Sequence, residues 1–246
     1  MIYICIPALD EAPTIGLLLW KIRRVMAEFP RDYQILVLDD ASADATQEVL
    51  EPYRKVLPLT VLRSEHSVGY AAALERLVRE AVQRSTHPKR DVVVTLQGDF
   101  TESPEDIPAL LKKIEGGADV VGSVAVHRGT EEPARALRWS RRGLPFLLPR
   151  SALPKEIRDP LSGFRAYRVQ ALRRALAERE GAPLLHSEGW VANVELLLAV
   201  LPHARRADEA EVSVRYDRRE RPTRFKPWPT ARALWDLARR TPRRAA

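Results

Sequence analysis

The sequence predicts an α/β layered fold on a mostly parallel central sheet, and three observations carry that reading. Short aliphatic runs alternate with amphipathic stretches of helical period through the first half of the chain. The runs Tyr3-Ile4-Cys5-Ile6-Pro7, Ile35-Leu36-Val37-Leu38 and Val92-Val93-Val94-Thr95-Leu96 are apolar throughout, as expected of strands covered on both faces. Each then runs into acid: Asp10-Glu11, Asp39-Asp40 and Gln97-Gly98-Asp99. Ligands of parallel α/β sheets sit at the carboxyl ends of the strands. Three acidic clusters at that edge repel one another and stabilise a fold poorly. They suit a cation, or the donor groups of a base and a sugar.

The elements follow in order. After the first strand, Pro13 sits at a helix start, and Ile15, Leu18, Leu19, Ile22, Val25, Met26 and Phe29 share one face. After the second strand, Ser42 and Asp44 are placed to cap a helix carrying Val49 and Leu50. Leu59 to Arg63 reads as a third strand. Ser67 opens a helix with Ala72, Leu74, Leu77, Val78 and Val82. The fourth strand ends at Leu96. Ser103-Pro104-Glu105-Asp106 then starts a helix with Ser as cap, Pro in the first turn and acids at the positive end of the dipole. Gly116-Gly117 ends it, and Asp119 to Val124 is a fifth strand.

The second half is less regular. Residues 128 to 158, rich in Arg and Pro with Trp139 and Phe146, read as a lid or connecting helix. Ser162 to Arg168 alternates like a strand, helices follow near Val169 to Glu178 and Val191 to Leu201, and Glu211 to Tyr216 is a last strand. Pro222 to Pro229 leads into an amphipathic helix with Ala233, Leu234, Leu237 and Ala238.

At 246 residues the chain suits one domain with a short appendage. The single cysteine, Cys5, excludes an intrachain disulfide or a cysteine metal cage and fits a reducing compartment. Met1-Ile2-Tyr3 already reads as strand, so no secretory signal is expected. No run approaches the ~18 apolar residues of a membrane span, and the longest, Trp190 to Leu201, contains Asn193 and Glu195. The net charge of +7 is uneven: Arg215, Arg218, Arg219, Arg221, Arg224 and Lys226 crowd one loop, and Arg239, Arg240, Arg243 and Arg244 close the chain. Such runs are either solvated or meet a phosphate, an anionic membrane or nucleic acid. No nucleic-acid partner is expected, since no zinc-finger, helix-turn-helix or stacking pattern accompanies them.

Several chemistries are excluded by missing motifs. There is no G-x-G-x-x-G after a strand, no P-loop lysine motif and no G-x-S-x-G elbow. His66, His87, His127, His186 and His203 are scattered without metal spacing. The acidic edge remains. Pro7-Ala8-Leu9-Asp10-Glu11, followed by Asp39-Asp40-Ala41-Ser42-Ala43-Asp44-Ala45-Thr46, resembles the opening of the family 2 glycosyltransferases, which read P-x-Y/L-N/D-E and then D-D-G-S-x-D-x-T. Gly117 to Ser123 matches that family's next strand. Asp159-Pro160-Leu161-Ser162-Gly163-Phe164-Arg165 is similar to the D-x-x-S-G-F-R of its polyprenyl-phosphate sugar transferases, of the dolichol-phosphate mannosyltransferase kind. Gly189-Trp190, Glu195-Leu196-Leu197, Glu211-Val212, Arg218 and Thr223 to Lys226 follow the later part of the pattern. The resemblance covers roughly residues 2 to 226.

The resemblance implies the GT-A fold, a nucleotide-diphosphosugar transferase sandwich with a mostly parallel central sheet. It places a donor half at about 1–124, an acceptor half at about 125–226 and a basic amphipathic tail at 227–246. It implies an inverting hexosyltransferase that takes a GDP- or UDP-linked sugar, held by Pro7, Asp10, Glu11, Asp39, Asp40, Gln97, Gly98 and Asp99. The acceptor would be a polyprenyl phosphate met by Arg128, Arg218, Arg224 and Lys226, with Asp159 and Arg165 as catalytic residues. The expected setting is cytoplasmic, peripheral on the inner face of the cell membrane, with homo-oligomerisation left open.

The family's metal motif is D-x-D, whereas here it reads Gln97-Gly98-Asp99. An amide oxygen can ligate Mg²⁺ or Mn²⁺ but adds no charge, so a weakened metal site is expected at Asp99 and Gln97, with Glu102 as a compensating acid. The family's Gly-Ser-Arg is Gly-Ser-Val, which leaves the phosphate to another arginine such as Arg128. A phosphate acceptor is already anionic near neutral pH and needs positioning. A soluble or glycolipid hydroxyl acceptor would need a general base, with Asp159 the candidate. Two further readings stay open: a nucleotide-sugar-binding relic, and a nucleotidyltransferase, although Ala12 to Gly16 lacks the glycine-rich, lysine-bearing signature of the latter.

Overall fold

The computed structural model describes residues 1–127, 156–214 and 227–240. The chain runs β1 (Ile2–Ala8), α1 (Ala12–Glu28), β2 (Tyr33–Asp39), α2 (Thr46–Tyr53), β3 (Leu59–Arg63), α3 (Gly69–Arg84) and β4 (Val92–Thr95). After a 3₁₀ turn at Pro104–Asp106 come α4 (Ile107–Glu115), β5 (Val120–His127), β6 (Arg165–Arg168), α5 (Val169–Ala177), α6 (Val191–Val200), β7 (Ala207–Val214) and α7 (Pro227–Arg240). The sheet order is β3-β2-β1-β4-β6-β5-β7. β6 pairs antiparallel with β4 and β5, and every other pairing is parallel. The expected mostly parallel sheet is therefore present.

Continuous apolar strands produce two cores because successive side chains leave opposite faces. Ile2, Ile4 and Ile6 join Ile15, Leu18 and Ile22 of α1 and Leu110 of α4 on one face. Tyr3, Cys5, Leu36 and Leu38 join Leu74, Leu77 and Val78 of α3 and Leu172 of α5 on the other. Burial pushes the Cys5 thiol far up, so it stays a neutral core group. In α1 the buried residues are those the helical spacing predicts, with Thr14 added and without Phe29, which is the half-buried C-cap.

Several local expectations are corrected. β6 starts only at Arg165, with Ser162 to Phe164 irregular. β7 starts at Ala207, before the predicted Glu211. α3 starts at Gly69, and the Ser67 hydroxyl goes to Asp40 instead of the helix backbone. Ser103 occupies the N-cap position, but its hydroxyl donates to the Glu105 carboxylate. Asp44 accepts from the amides of Thr46 and Ala12, so it ties the starts of α2 and α1 together, and Ser42 accepts from the Asp10 amide. Of the predicted lid at 128–158, residues 128–155 lie outside the described residues, as does the basic loop at 215–226; residues 156–158 form no helix.

The far end of the sheet is held by Asp119. It accepts from Arg168 Nε at 2.9 Å, from the Arg205 amide at 2.9 Å and from Arg205 Nε at 3.2 Å. Burial alone would raise this carboxyl; the Arg205 and Arg168 bonds outweigh it and hold it below its ordinary 3.8. A lowered folded-state value means stability that is present above the unfolded value and is lost as pH falls through the folded one. Asp119→Asn should therefore flatten the loss of unfolding free energy between about pH 5 and about pH 2, read as urea midpoints. An unchanged pH slope would contradict the assignment.

Candidate active site

β1 is the switch point of the sheet: β2 lies on one side of it and β4 on the other. At the carboxyl ends of these strands a cleft of about 400 Å³ opens. Pro7, Leu9 and Glu11 line it after β1, Asp40 after β2, and Gln97, Gly98 and Asp99 after β4. Val68, Gly69 and Tyr70 at the start of α3, and Glu188, Gly189 and Trp190 before α6, complete it. A cavity of about 520 Å³ beside Ile2 and Val92 opens at the opposite edge of the sheet. Two of its three arginines are already engaged, Arg168 with Asp119 and Arg31 with Glu115.

The three acidic turns share one backbone feature. Asp10, Ala41 and Phe100, each just past a strand, have φ of 50°, 59° and 58°. Left-handed backbone costs a non-glycine residue roughly 1–2 kcal/mol, and such strain clusters where geometry is held for function. Ala41 stands where the D-D-G-S pattern carries glycine. Ala41→Gly is accordingly expected to raise the unfolding free energy by up to about 1 kcal/mol. A lower denaturation midpoint for the variant would refute this.

The acids of the edge are not equivalent. Asp40 accepts from Ser67 Oγ at 2.8 Å, from the Val68 amide at 2.8 Å and from the Gly69 amide at 3.0 Å, so it closes the N-terminus of α3. Asp39 Oδ1 accepts from the Ser42 amide at 3.0 Å. Its Oδ2 lies 3.7 Å from Arg63 Nε and is buried without a hydrogen bond among the described residues. Asp10 accepts from the Ala43 amide. Asp40→Ala should lower the unfolding free energy by about 1–2 kcal/mol, because it removes the carboxylate that caps the start of α3. Unfolding identical to the parent would mean that water replaces the carboxylate.

The β4 turn is tied to α1. The Thr14 hydroxyl lies 2.8 Å from the Gly98 carbonyl and 3.2 Å from Glu11 Oε2. A side chain at Gly98 would meet Glu11 Cγ at 3.2 Å, so glycine allows this close approach. Asp99 is buried and accepts from the Thr101 amide at 3.1 Å. The Gln97 amide NH is 3.4 Å from Glu102 Oε2. Among the described residues no three His, Cys, Asp or Glu side chains group to hold a metal ion. Asp99 beside Gln97 fits an ion only if water and a bound ligand fill most of its shell.

The Asp159–Arg165 segment reaches the same edge because β6 pairs antiparallel with β4, Thr95 opposite Arg165. Thr95 Oγ1 donates to the Gly163 carbonyl at 2.6 Å. A side chain at Gly163 would meet Gln97 Nε2, Tyr70 Oη and Asn193 Nδ2, each at 3.2 Å, so this glycine seats the segment against the cleft. Tyr70 Oη donates to Asn193 Oδ1 at 2.8 Å, and Asn193 Nδ2 donates to the Leu161 carbonyl at 3.2 Å. Burial, then the nearby Glu102 charge, pushes the Tyr70 phenol far up, so it remains a protonated donor.

Arg165 is only 1 % exposed and does not line the cleft. It donates to the carbonyls of Asn193 at 2.6 Å, Asp159 at 3.2 Å and Pro160. Asp159 is half-buried and accepts from the Leu161 amide at 3.1 Å. Arg128, Arg218, Arg224 and Lys226 lie outside the described residues. Thr14, Tyr70 and Asn193 were not legible as site residues. Tyr70 and Asn193 are 123 positions apart, and no local pattern links them.

The comparisons agree with this geometry. A family model described as glycosyl transferase family 2 matches residues 3–176. The undecaprenyl-phosphate 4-deoxy-4-formamido-L-arabinose transferase of Pseudomonas fluorescens is 30% identical over 179 residues, 72% of this chain and 49% of that protein. The dolichol-phosphate mannosyltransferase of Pyrococcus furiosus is 33% identical over 144 residues, 57% of this chain and 39% of that protein. The chain thus spans about half the length, or less, of these relatives. The glucosyl-3-phosphoglycerate synthase of Mycobacterium tuberculosis, solved with Mn²⁺, UDP and glucosyl-3-phosphoglycerate, superposes with a TM-score of 0.63 at 21% identity, over 98% of this chain and 78% of that one. That likeness gives the fold, GT-A. With its sheet, its strand-end cleft and the family match over most of its length, this chain belongs to glycosyl transferase family 2.

Proposed function

We propose that the chain transfers a hexose from a UDP- or GDP-linked sugar to a polyprenyl phosphate, with inversion, at the inner face of the cell membrane. The observation that carries this reading is how closely the Gly163 backbone passes Gln97: a Cβ at position 163 would lie 3.2 Å from Gln97 Nε2. It sets the segment resembling polyprenyl-phosphate transferases against the strand-end cleft, so donor and acceptor would meet at one edge. The donor half is residues 1–124 and the acceptor half 125–226.

Asp39 Oδ2, a buried acceptor without a hydrogen bond among the described residues, suits a donor group of the base or ribose. Pro7, Glu11 and Asp40 line that side of the cleft, and Asp10, which does not line it, holds the Ala43 amide of the adjoining turn. Gln97 and Asp99 would hold a divalent cation, Mg²⁺ or Mn²⁺. When bound, that ion would supply positive charge to the diphosphate leaving group. In the reaction a phosphate oxygen of the acceptor forms a bond to the anomeric carbon as the bond to the nucleoside diphosphate breaks. Such an acceptor is already ionised, so the chain's task is to orient it. Arg165 positions the Asp159–Pro160 backbone from below, and Arg128, Arg218, Arg224 and Lys226 are the candidates for the acceptor phosphate.

The test is transfer to undecaprenyl phosphate with UDP- and GDP-sugars side by side, with lipid-linked sugar read by mass spectrometry. A phosphodiester-linked product supports the reading. Transfer only to hydroxyl acceptors would overturn it and make Asp159 the candidate general base. Donor binding without turnover on any acceptor would indicate a nucleotide-sugar-binding relic.

A further inference from the structure

We propose that the outward face of α7, formed by Trp228, Arg232, Trp235 and Arg239, docks on an anionic lipid bilayer. The choice of a bilayer rests on the lipid-phosphate reading above; the face itself does not. Spacings of four, three and four residues put these side chains in one stripe of the helix. The opposite stripe, Leu234 and Leu237, is buried against Leu161, Val191 and Val194. That packing pins the helix, so it cannot roll to hide its indoles. Trp228 is 86 % exposed and Trp235 55 % exposed, and Arg232 and Arg239 are exposed between and beyond them. Two indoles held in water beside guanidinium groups match the headgroup zone of a membrane, where the ring is half wet and the cation meets phosphate.

Charge points to the same partner. Residues 215–246 hold eleven of the 40 Lys and Arg but three of the 33 acids, a net +8 against +7 for the whole chain. All of the excess positive charge therefore sits at the end that contains α7, and the remaining 214 residues are close to neutral. Each basic residue near an anionic leaflet adds to binding. Among the described residues no helix is long and apolar enough to cross a membrane, so such contact would be made from the surface.

The seat of α7 ties this face to the cleft. Leu161 belongs to the Asp159–Arg165 segment. Arg240 Nη2 donates to Ser187 Oγ at 3.4 Å, and its Nη1 stands 4.0 Å from Glu195 Oε1. Glu195 Oε2 accepts from the amides of His186 and Ser187, at 2.8 and 2.7 Å. The next three residues, Glu188, Gly189 and Trp190, wall the cleft on one side and the groove against α7 on the other. One helix diameter, about 10 Å, thus separates the proposed membrane face from both acceptor-side segments.

The test is co-sedimentation of the chain with vesicles of phosphatidylcholine alone and with phosphatidylglycerol added, at low and high salt. Binding is expected only to the anionic vesicles and to weaken in high salt. Arg232→Gln/Arg239→Gln should weaken it about thirtyfold, and Trp228→Ser/Trp235→Ser by tenfold or more, with thermal unfolding unchanged in both. Transfer by the tryptophan variant to a short, water-soluble prenyl phosphate should match the parent. Absence of binding by the folded parent at low salt, or undiminished binding by both variants, overturns the proposal. Competition by single-stranded RNA but not by anionic vesicles would assign the face to nucleic acid and also overturn it. Vesicle binding that depends on α7, in a chain that transfers no sugar to any acceptor, would leave this inference standing and remove the proposed function instead.

Discussion

Asp99→Ala is expected to cut sugar transfer by at least about a hundredfold, the scale on which a single charge-stabilising group at a leaving oxygen matters. Asp99 lines the cleft at the end of β4 and is the one carboxylate in Gln97-Gly98-Asp99. With an amide at position 97, no neighbouring acid of that motif can take over its charge. Asp99 also accepts from the Thr101 amide, so part of the loss could come from the loop. Asp99→Asn keeps an acceptor there and separates the two effects: it should fold like the parent and still fail to transfer. Gln97→Asp is expected to act in the opposite direction on metal affinity, because it adds a second anionic oxygen. Titration of Mn²⁺, followed by its paramagnetic resonance signal, reads that change apart from turnover. Full activity of Asp99→Ala in chelator would end the idea that this edge works through a cation.

Arg165→Ala should be the most destabilising of the substitutions considered, at about 3–5 kcal/mol. The guanidinium lies under the Asp159–Phe164 segment and donates to three backbone carbonyls. Its removal leaves those carbonyls without donors and opens a void beneath the segment, and both effects carry a cost. No carboxylate pairs with Arg165 among the described residues, so the effect should depend little on salt. Arg165→Lys keeps the charge but loses the planar fork that serves several carbonyls at once, and should fall between the two. Denaturant unfolding with turnover measured in parallel decides the role. If Arg165→Ala unfolds like the parent yet transfers no sugar, the guanidinium acts on substrate and not on the segment it underlies.

Parts of this molecule were legible locally. The spacing of Ile15, Leu18, Leu19 and Ile22 reports a buried helix face wherever that helix ends up, and all four are buried. β3 has the predicted bounds, Leu59–Arg63. The strand at Ser162 was misread because Ser-Gly-Phe-Arg alternates polar and apolar residues without pairing; pairing with β4 starts only at Arg165. The α6 segment is buried nearly all round, so its sequence shows a helix but no face. The polar residues Asn193 and Glu195 inside it are explained by partners on other elements, Tyr70, Leu161, His186 and Ser187.

The sequence by itself determined a layered parallel sheet with acids at the carboxyl ends of three strands, because strand and helix periodicity and the charge of a turn are local properties. Only the tertiary structure decided how each acid is used. Asp40 is taken up by the start of α3, Asp39 keeps an oxygen without a hydrogen bond among the described residues, and Asp99 stays at the cleft. It alone also showed that α7 is seated on Leu161 and Val191 with its tryptophans outward. The reason is physical: a buried polar group takes the partner that chain crossing brings within about 3 Å, and nothing in the neighbouring residues encodes that partner.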